Sequence, residues 1–155
     1  MARGARFAGH PLHPAVVHFP VALWSISLVW DALAAWTGAA TWWHAGFWCL
    51  AAGLVMALPA AATGLMEFIT IEDAHPAAAT ATQHMLVMLC AVCVYAVALV
   101  IRACPAAPEG WRLIAVLLLS ASGLVLLAVG GWLGGKMVYR YGVGRSDSSL
   151  PENGG

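Results

Sequence analysis

Charge is what this sequence has least of. Asp, Glu, Lys and Arg together make up 9% of its 155 residues, and seven acidic side chains balance seven basic ones. A chain with so few cations and no net charge offers no polyanion-binding surface, which excludes a nucleic-acid-binding role. Cysteine is scarce as well: Cys49, Cys90, Cys93 and Cys104. Cys90 and Cys93 form a CxxC inside an apolar run, whereas a soluble redox CxxC opens a helix beside a strand. Their expected role is the packing of small apolar side chains. A cleavable signal peptide is not expected either. The first apolar run is long enough to span a bilayer and lacks a short h-region with a small-residue cleavage site.

What the chain has instead is hydrophobic length, with 62% of its residues apolar. About 20 consecutive apolar residues cross the hydrocarbon core as a helix. Four such runs occur, roughly Ala15 to Trp36, Trp43 to Met66, Thr80 to Ala103 and Trp111 to Leu133. Short loops make neighbouring helices antiparallel. The expected fold is therefore all-α, a transmembrane up-down-up-down four-helix bundle over residues 1–145. A disordered polar tail is expected over 146–155. Both termini and the Glu67–Ala79 loop fall on one side, with Arg3, Arg6, Lys136, Arg140 and Arg145; the other side holds Arg102 and Arg112. The positive-inside rule places the richer side in the cytoplasm. Trp30, Trp36, Trp42, Trp43, Trp48 and Trp111 form the expected aromatic belt at the opposite interface, and Trp132 marks the inner one.

Histidine is the residue that bilayer insertion alone does not explain. His10, His13, His18, His75 and His84 all fall near the terminal face, while His44 stands alone on the other side. Ligating side chains at membrane depth are costly, which makes them functional candidates. His18 lies about one turn into the first helix and His84 about one turn into the third. These two helices are diagonal and parallel, so the two imidazoles share a depth across a gap of roughly 11–14 Å. One iron between them fits a bis-histidine haem b, and no CxxCH is present for covalent attachment. Small residues follow His18 at Ala22, Ser25 and Val29, and Met88, Ala91 and Tyr95 follow His84. Gly130, Gly131, Gly134 and Gly135 close the fourth helix at the same depth, where backbone can approach a helix or a ring edge. Lys136, Arg140 or Arg145 suit haem propionates.

An overlapping set, His13, His18, Glu67 and His84, matches a first shell for Zn or non-haem iron. A third reading leaves all these histidines as interfacial hydrogen-bonding groups in a structural or assembly subunit. His75, before Pro76, reads as a solvated loop residue. The prolines of Gly9-His10-Pro11-Leu12-His13-Pro14 bar a regular helix and predict an extended lead-in. Asp31 is expected to pair with Arg102 or Arg112. Pro59 is expected to kink the second helix. Gly38 and Gly46 are expected in a loop that tolerates substitution.

The segment Gly9-His10-Pro11-Leu12-His13-Pro14-Ala15-Val16-Val17-His18-Phe19-Pro20 resembles the N-terminal signature of a bacterial four-helix membrane family, domain of unknown function 2231. The segment from Gly130 to Gly144 is similar to that family's C-terminal signature. The family's histidine at the start of the third helix is matched by His84, and its frequent acidic residue at the end of the second by Glu67. A histidine that often precedes the final Gly-Val-Gly is here Tyr141. Some relatives are fused to, or encoded beside, Rieske-type iron–sulfur proteins. The resemblance thus implies a Rieske-type or cytochrome redox partner and no particular activity. Electron transfer in the lipid bilayer is the leading expectation, ahead of hydrolase or transferase chemistry. Homodimerisation through the glycine-rich fourth helix is a further expectation.

A reporter fused after Gly155 is predicted to be active in the cytoplasm. A periplasmic signal from that fusion contradicts the charge-based orientation.

Overall fold

The computed structural model describes residues 6–7, 10–103 and 109–144. Arg3, Cys104, Arg145 and the tail 146–155 lie outside them. A two-residue antiparallel ladder, β1 (Arg6–Phe7) with β2 (His10–Pro11), leads into α1 (Leu12–Val16). The long helices follow: α2 (His18–Thr37), α3 (Ala40–Phe68), α4 (Ala78–Arg102) and α5 (Trp111–Tyr141). All four are long and apolar enough to cross a membrane, α1 counting with α2 as one span. Their outward faces carry Val29, Val55, Leu58, Leu89, Val100, Leu118 and Val125, all exposed. Helices satisfy their own backbone groups, so such a surface suits hydrocarbon rather than water.

The break between α1 and α2 has a local cause. Pro20 has no N–H to give to Val16, and its ring clashes with that carbonyl. Val17 becomes a turn, and α1 is freed to pack mainly on α3. Pro14 is tolerated because it sits in the first turn of α1, where the N–H has no partner in any case. Helix α2 ends at Gly38, in the left-handed region with φ 69°, and α5 ends the same way at Gly142. Glycine adopts that conformation without steric cost.

Helix α2 packs chiefly on α3, and α4 on α5, with lighter α2–α5 and α3–α4 contacts closing the square. This is the expected four-helix bundle, with α2 and α4 on one diagonal and α3 and α5 on the other. Buried positions recur every three or four residues: Pro20, Trp24, Ser27 and Asp31 on α2; Ala91, Tyr95, Ala98 and Arg102 on α4. That spacing is the near-parallel, knobs-into-holes mode of helix packing.

Large side chains sit on the α2–α4 diagonal, and glycines on α3 and α5 make room for them. The Trp24 and Tyr95 rings stack at 4.6 Å. A Cβ at Gly123 would lie 2.5 Å from Tyr95 Cζ, and one at Gly53 would enter the Trp24 indole. Further along, Arg102 is ion-paired with Asp31 through Nη2 and Oδ2. Ser120 Oγ lies 3.3 Å from both groups, and the Trp43 ring covers the guanidinium at 4.5 Å. A Cβ at Gly46 would meet Asp31 Oδ1 at 2.7 Å and Arg102 Nη1 at 2.9 Å.

Several expectations are corrected. Helix α3 begins at Ala40, so Gly46 is a buried helical glycine and not a tolerant loop residue. Helix α5 runs on to Tyr141, which places the four glycines inside it rather than at its end. The lead-in is extended only as far as Pro11. Trp43 is buried against Arg102 instead of joining the interfacial belt, whereas Trp36, Trp48 and Trp111 are exposed. Cys90 and Cys93 are free and face outward rather than filling the bundle interior. Asp31 pairs with Arg102, and Arg112 donates to the Ile101 carbonyl at 2.8 Å. Pro59 lies inside α3.

Arg102→Ala leaves a buried carboxylate unpaired and is predicted to cost about 3–5 kcal/mol, whereas Asp31→Leu combined with Arg102→Leu is predicted to be neutral or stabilising. Gly46→Leu is predicted to destabilise by ~1–3 kcal/mol or more through overpacking. Unfolding of the detergent-solubilised protein checks all three. Equal stability of Arg102→Ala and wild type contradicts the buried pair.

Candidate functional site

At the end of the bundle where α2 starts and α5 finishes, two histidines meet. His13 is carried by α1 and His84 by the second turn of α4. Their ring centroids are 6.4 Å apart and their planes are nearly perpendicular, at 89°. His13 Nδ1 donates to the Ala60 carbonyl at 2.9 Å, with Thr63 Oγ1 at 3.4 Å. His84 Nδ1 donates to the Gly130 carbonyl at 2.9 Å. A carbonyl can only accept, so each ring donates from Nδ1, and in the neutral form of the ring Nε2 keeps its lone pair. A backbone or carboxylate acceptor that fixes tautomer and ring orientation is the usual companion of a ligating histidine.

Glycine again makes the space. A Cβ at Gly64 would lie 2.8 Å from His13 Cε1. At Gly134 it would lie 3.6 Å from His84 Cε1, and at Gly130 it would run into Met88 Sδ. Of the four fourth-helix glycines singled out from the sequence, Gly134 faces His84, while Gly130 gives His84 its carbonyl and turns its open side to Met88. Gly131 is exposed with nothing within 4 Å of its would-be Cβ, and Gly135 meets only Tyr139 of its own helix, at 3.9 Å.

The structure brings His13, not His18, into contact with His84. His18 is exposed, as are Ala22 and Val29 on its stripe. The reason is phase. Counting back from the buried Asp31, Ser27, Trp24 and Pro20 in steps of four, three, four and seven lands on His13. The α4 stripe read from the sequence is the buried one, since Ala91 and Tyr95 are both fully enclosed. Glu67 is half-buried at the end of α3, and among the described residues no three His, Cys, Asp or Glu side chains gather as a metal-holding group. His75 is half-buried and accepts the Ala77 backbone N–H at 3.1 Å, which fixes the turn before α4. His44 is exposed on α3.

Lys136, Arg140 and Tyr141 lie on the last turns of α5. Lys136 stands 5.5 Å over the Trp132 ring, and Arg140 stands 5.7 Å from the Tyr141 ring. An open groove of about 440 Å³ runs along this outer side, lined by Trp132, Gly135, Lys136, Tyr139 and Arg140. Aromatic and basic side chains in this arrangement suit the level of lipid headgroups.

No curated protein and no solved structure matches the chain. A family model does, over residues 9–147, and it spans both end motifs, the histidine pair, Glu67 and the buried ion pair. With nearly the whole chain matched, this protein belongs to the family described as predicted membrane protein (DUF2231).

Proposed function

We propose that this chain is a membrane electron-transfer protein that holds one haem b between His13 and His84. The observation that carries the reading is the pair itself: two imidazoles, each oriented through Nδ1, at a centroid separation of 6.4 Å. Two imidazoles on opposite sides of one metal, with metal–nitrogen bonds of about 2.0–2.1 Å, place their ring centres roughly 6 Å apart. Two protein ligands complete a haem iron, because the macrocycle supplies the rest. A zinc or non-haem iron site drawn from His13, His18, Glu67 and His84 takes at least three protein ligands, whereas His18 is exposed and no three such side chains gather among the described residues. The Gly64 and Gly134 backbones, which keep the imidazole edges free of Cβ atoms, also favour a flat group beside them.

When bound, haem b supplies reversible one-electron chemistry. The remaining work belongs to the chain. Ala60 and Gly130 carbonyls hold the imidazoles in one tautomer and raise their basicity. Half-burial of both rings between apolar helices lowers the dielectric around them. Lys136 and Arg140 offer cations at the same end of α5 for propionates or lipid phosphates. We place the protein in the inner membrane with both termini in the cytoplasm, on the excess of basic residues at that end. A Rieske-type or cytochrome partner would meet this face.

The detergent-purified protein, expressed with ample haem, is predicted to show a Soret band. Removing even an outer-shell partner typically costs ~10–100-fold in metal affinity, so His13→Ala and His84→Ala are each predicted to lose at least that much haem occupancy. His18→Ala, His44→Ala and His75→Ala are predicted to retain it. Gly134→Leu is predicted to lower occupancy, and Gly131→Leu to leave it unchanged. A colourless protein that retains metal favours the metal-ion site; a protein with neither favours a structural subunit.

A further inference from the structure

The far half of the bundle holds polar atoms that no neighbour satisfies. Trp24 Nε1, Asp31 Oδ1, Tyr95 Oη, Arg102 Nε and Arg102 Nη1 are buried and have no hydrogen-bond partner among the described residues. Their residues are at most 2% exposed. All lie on the α2–α4 diagonal, and they fall in two groups seven residues apart on each helix: Trp24 with Tyr95, then Asp31 with Arg102. Seven residues rise about 10 Å along a helix. Ser27, fully buried, lies between the two groups on α2; it donates to the Trp24 carbonyl at 2.7 Å and keeps its lone pairs.

Leaving a buried donor or acceptor unpaired costs on the order of 1–3 kcal/mol, and more for a charged group. Five such atoms in one line exceed what a marginally stable fold tolerates. Buried polar groups that lack protein partners are as a rule bonded to internal water. The atoms are chemically matched to this. Arg102 Nε and Nη1 and Trp24 Nε1 only donate, Asp31 Oδ1 accepts, and Tyr95 Oη does both. Water serves all three kinds, because it both donates and accepts, and it leaves the Asp31–Arg102 pair uncharged overall.

We propose that a file of internal water runs from Arg102, the last residue of α4, past Ser27 to the Trp24–Tyr95 stack near the middle of the membrane. It forms a hydrated half-channel that gives protons access to Tyr95 from the face opposite the histidine pair. The file stops at the stack. The next layer consists of Pro20, Ala57, Met88, Ala91 and Leu127, with no side-chain hydrogen-bonding group to carry water on to His13 and His84. The proposal is independent of what the histidines bind.

Exchange of the Trp24 indole N–H tests this directly. Uniformly ¹⁵N-labelled protein in lipid nanodiscs is transferred to D₂O and the indole cross-peaks are followed by NMR. The Trp24 N–H is expected to exchange within minutes, while the Ala91 backbone N–H, in the dry layer, persists for hours. Asp31→Leu combined with Arg102→Leu replaces the entry with apolar side chains without leaving a lone charge, and it is expected to slow Trp24 exchange to the hours of Ala91. A wild-type Trp24 N–H as protected as that of Ala91 overturns the proposal. So does unchanged fast exchange in the double variant, which would put the water entry elsewhere.

Discussion

The interior of this bundle depends on glycine facing bulk across the diagonals. Helices α2 and α4 do not pack directly on each other; side chains bridge the gap between them. Those bridges are an aromatic stack and an ion pair between α2 and α4 and, at the other end, the pair of His13 on α1 with His84 on α4. Room for them comes from Gly46, Gly53 and Gly64 on α3 and from Gly123 and Gly134 on α5. In lipid no hydrophobic force draws helices together, so close packing and buried polar contacts must do so. Here one device provides both.

Much of the fold was legible in the sequence because a bilayer leaves few choices. Span lengths, antiparallel order and the Asp31 ion pair follow from hydrocarbon thickness, loop length and the cost of a lone charge. The family match agrees with the two end motifs. Helix ends were less legible. The run Gly130 to Gly135 reads as a terminus by propensity, but it lies inside α5, where Gly130 packs against Met88 and Gly134 against His84. Gly46 likewise reads as loop, although it lies beneath the ion pair. Glycine signals the end of a helix and a close approach with the same letter.

The histidine partner is set by helical phase rather than by depth. Equal depth along two ideal helices points to His18, which is exposed. Across the break at Val17 the buried stripe of α2 continues to His13 on α1, which packs mainly on α3. The signal was present in the heptad phase of Pro20, Trp24, Ser27 and Asp31, which runs back to His13. Along the bundle axis, the result is a histidine site at one end and a charged, polar cluster at the other. An apolar layer lies between the histidines and the aromatic stack.

The haem reading requires that His13 and His84 together would hold one haem b. Electron paramagnetic resonance of the oxidised, haem-loaded protein reads this directly. Iron held by two imidazoles would be low-spin ferric, and ring planes that stand 89° apart, as here, would favour the strongly anisotropic form of that signal. The account predicts this signal in the wild type and in His18→Ala, and its loss in His13→Ala. A high-spin signal in the wild type, or an unchanged low-spin signal in His13→Ala, contradicts it.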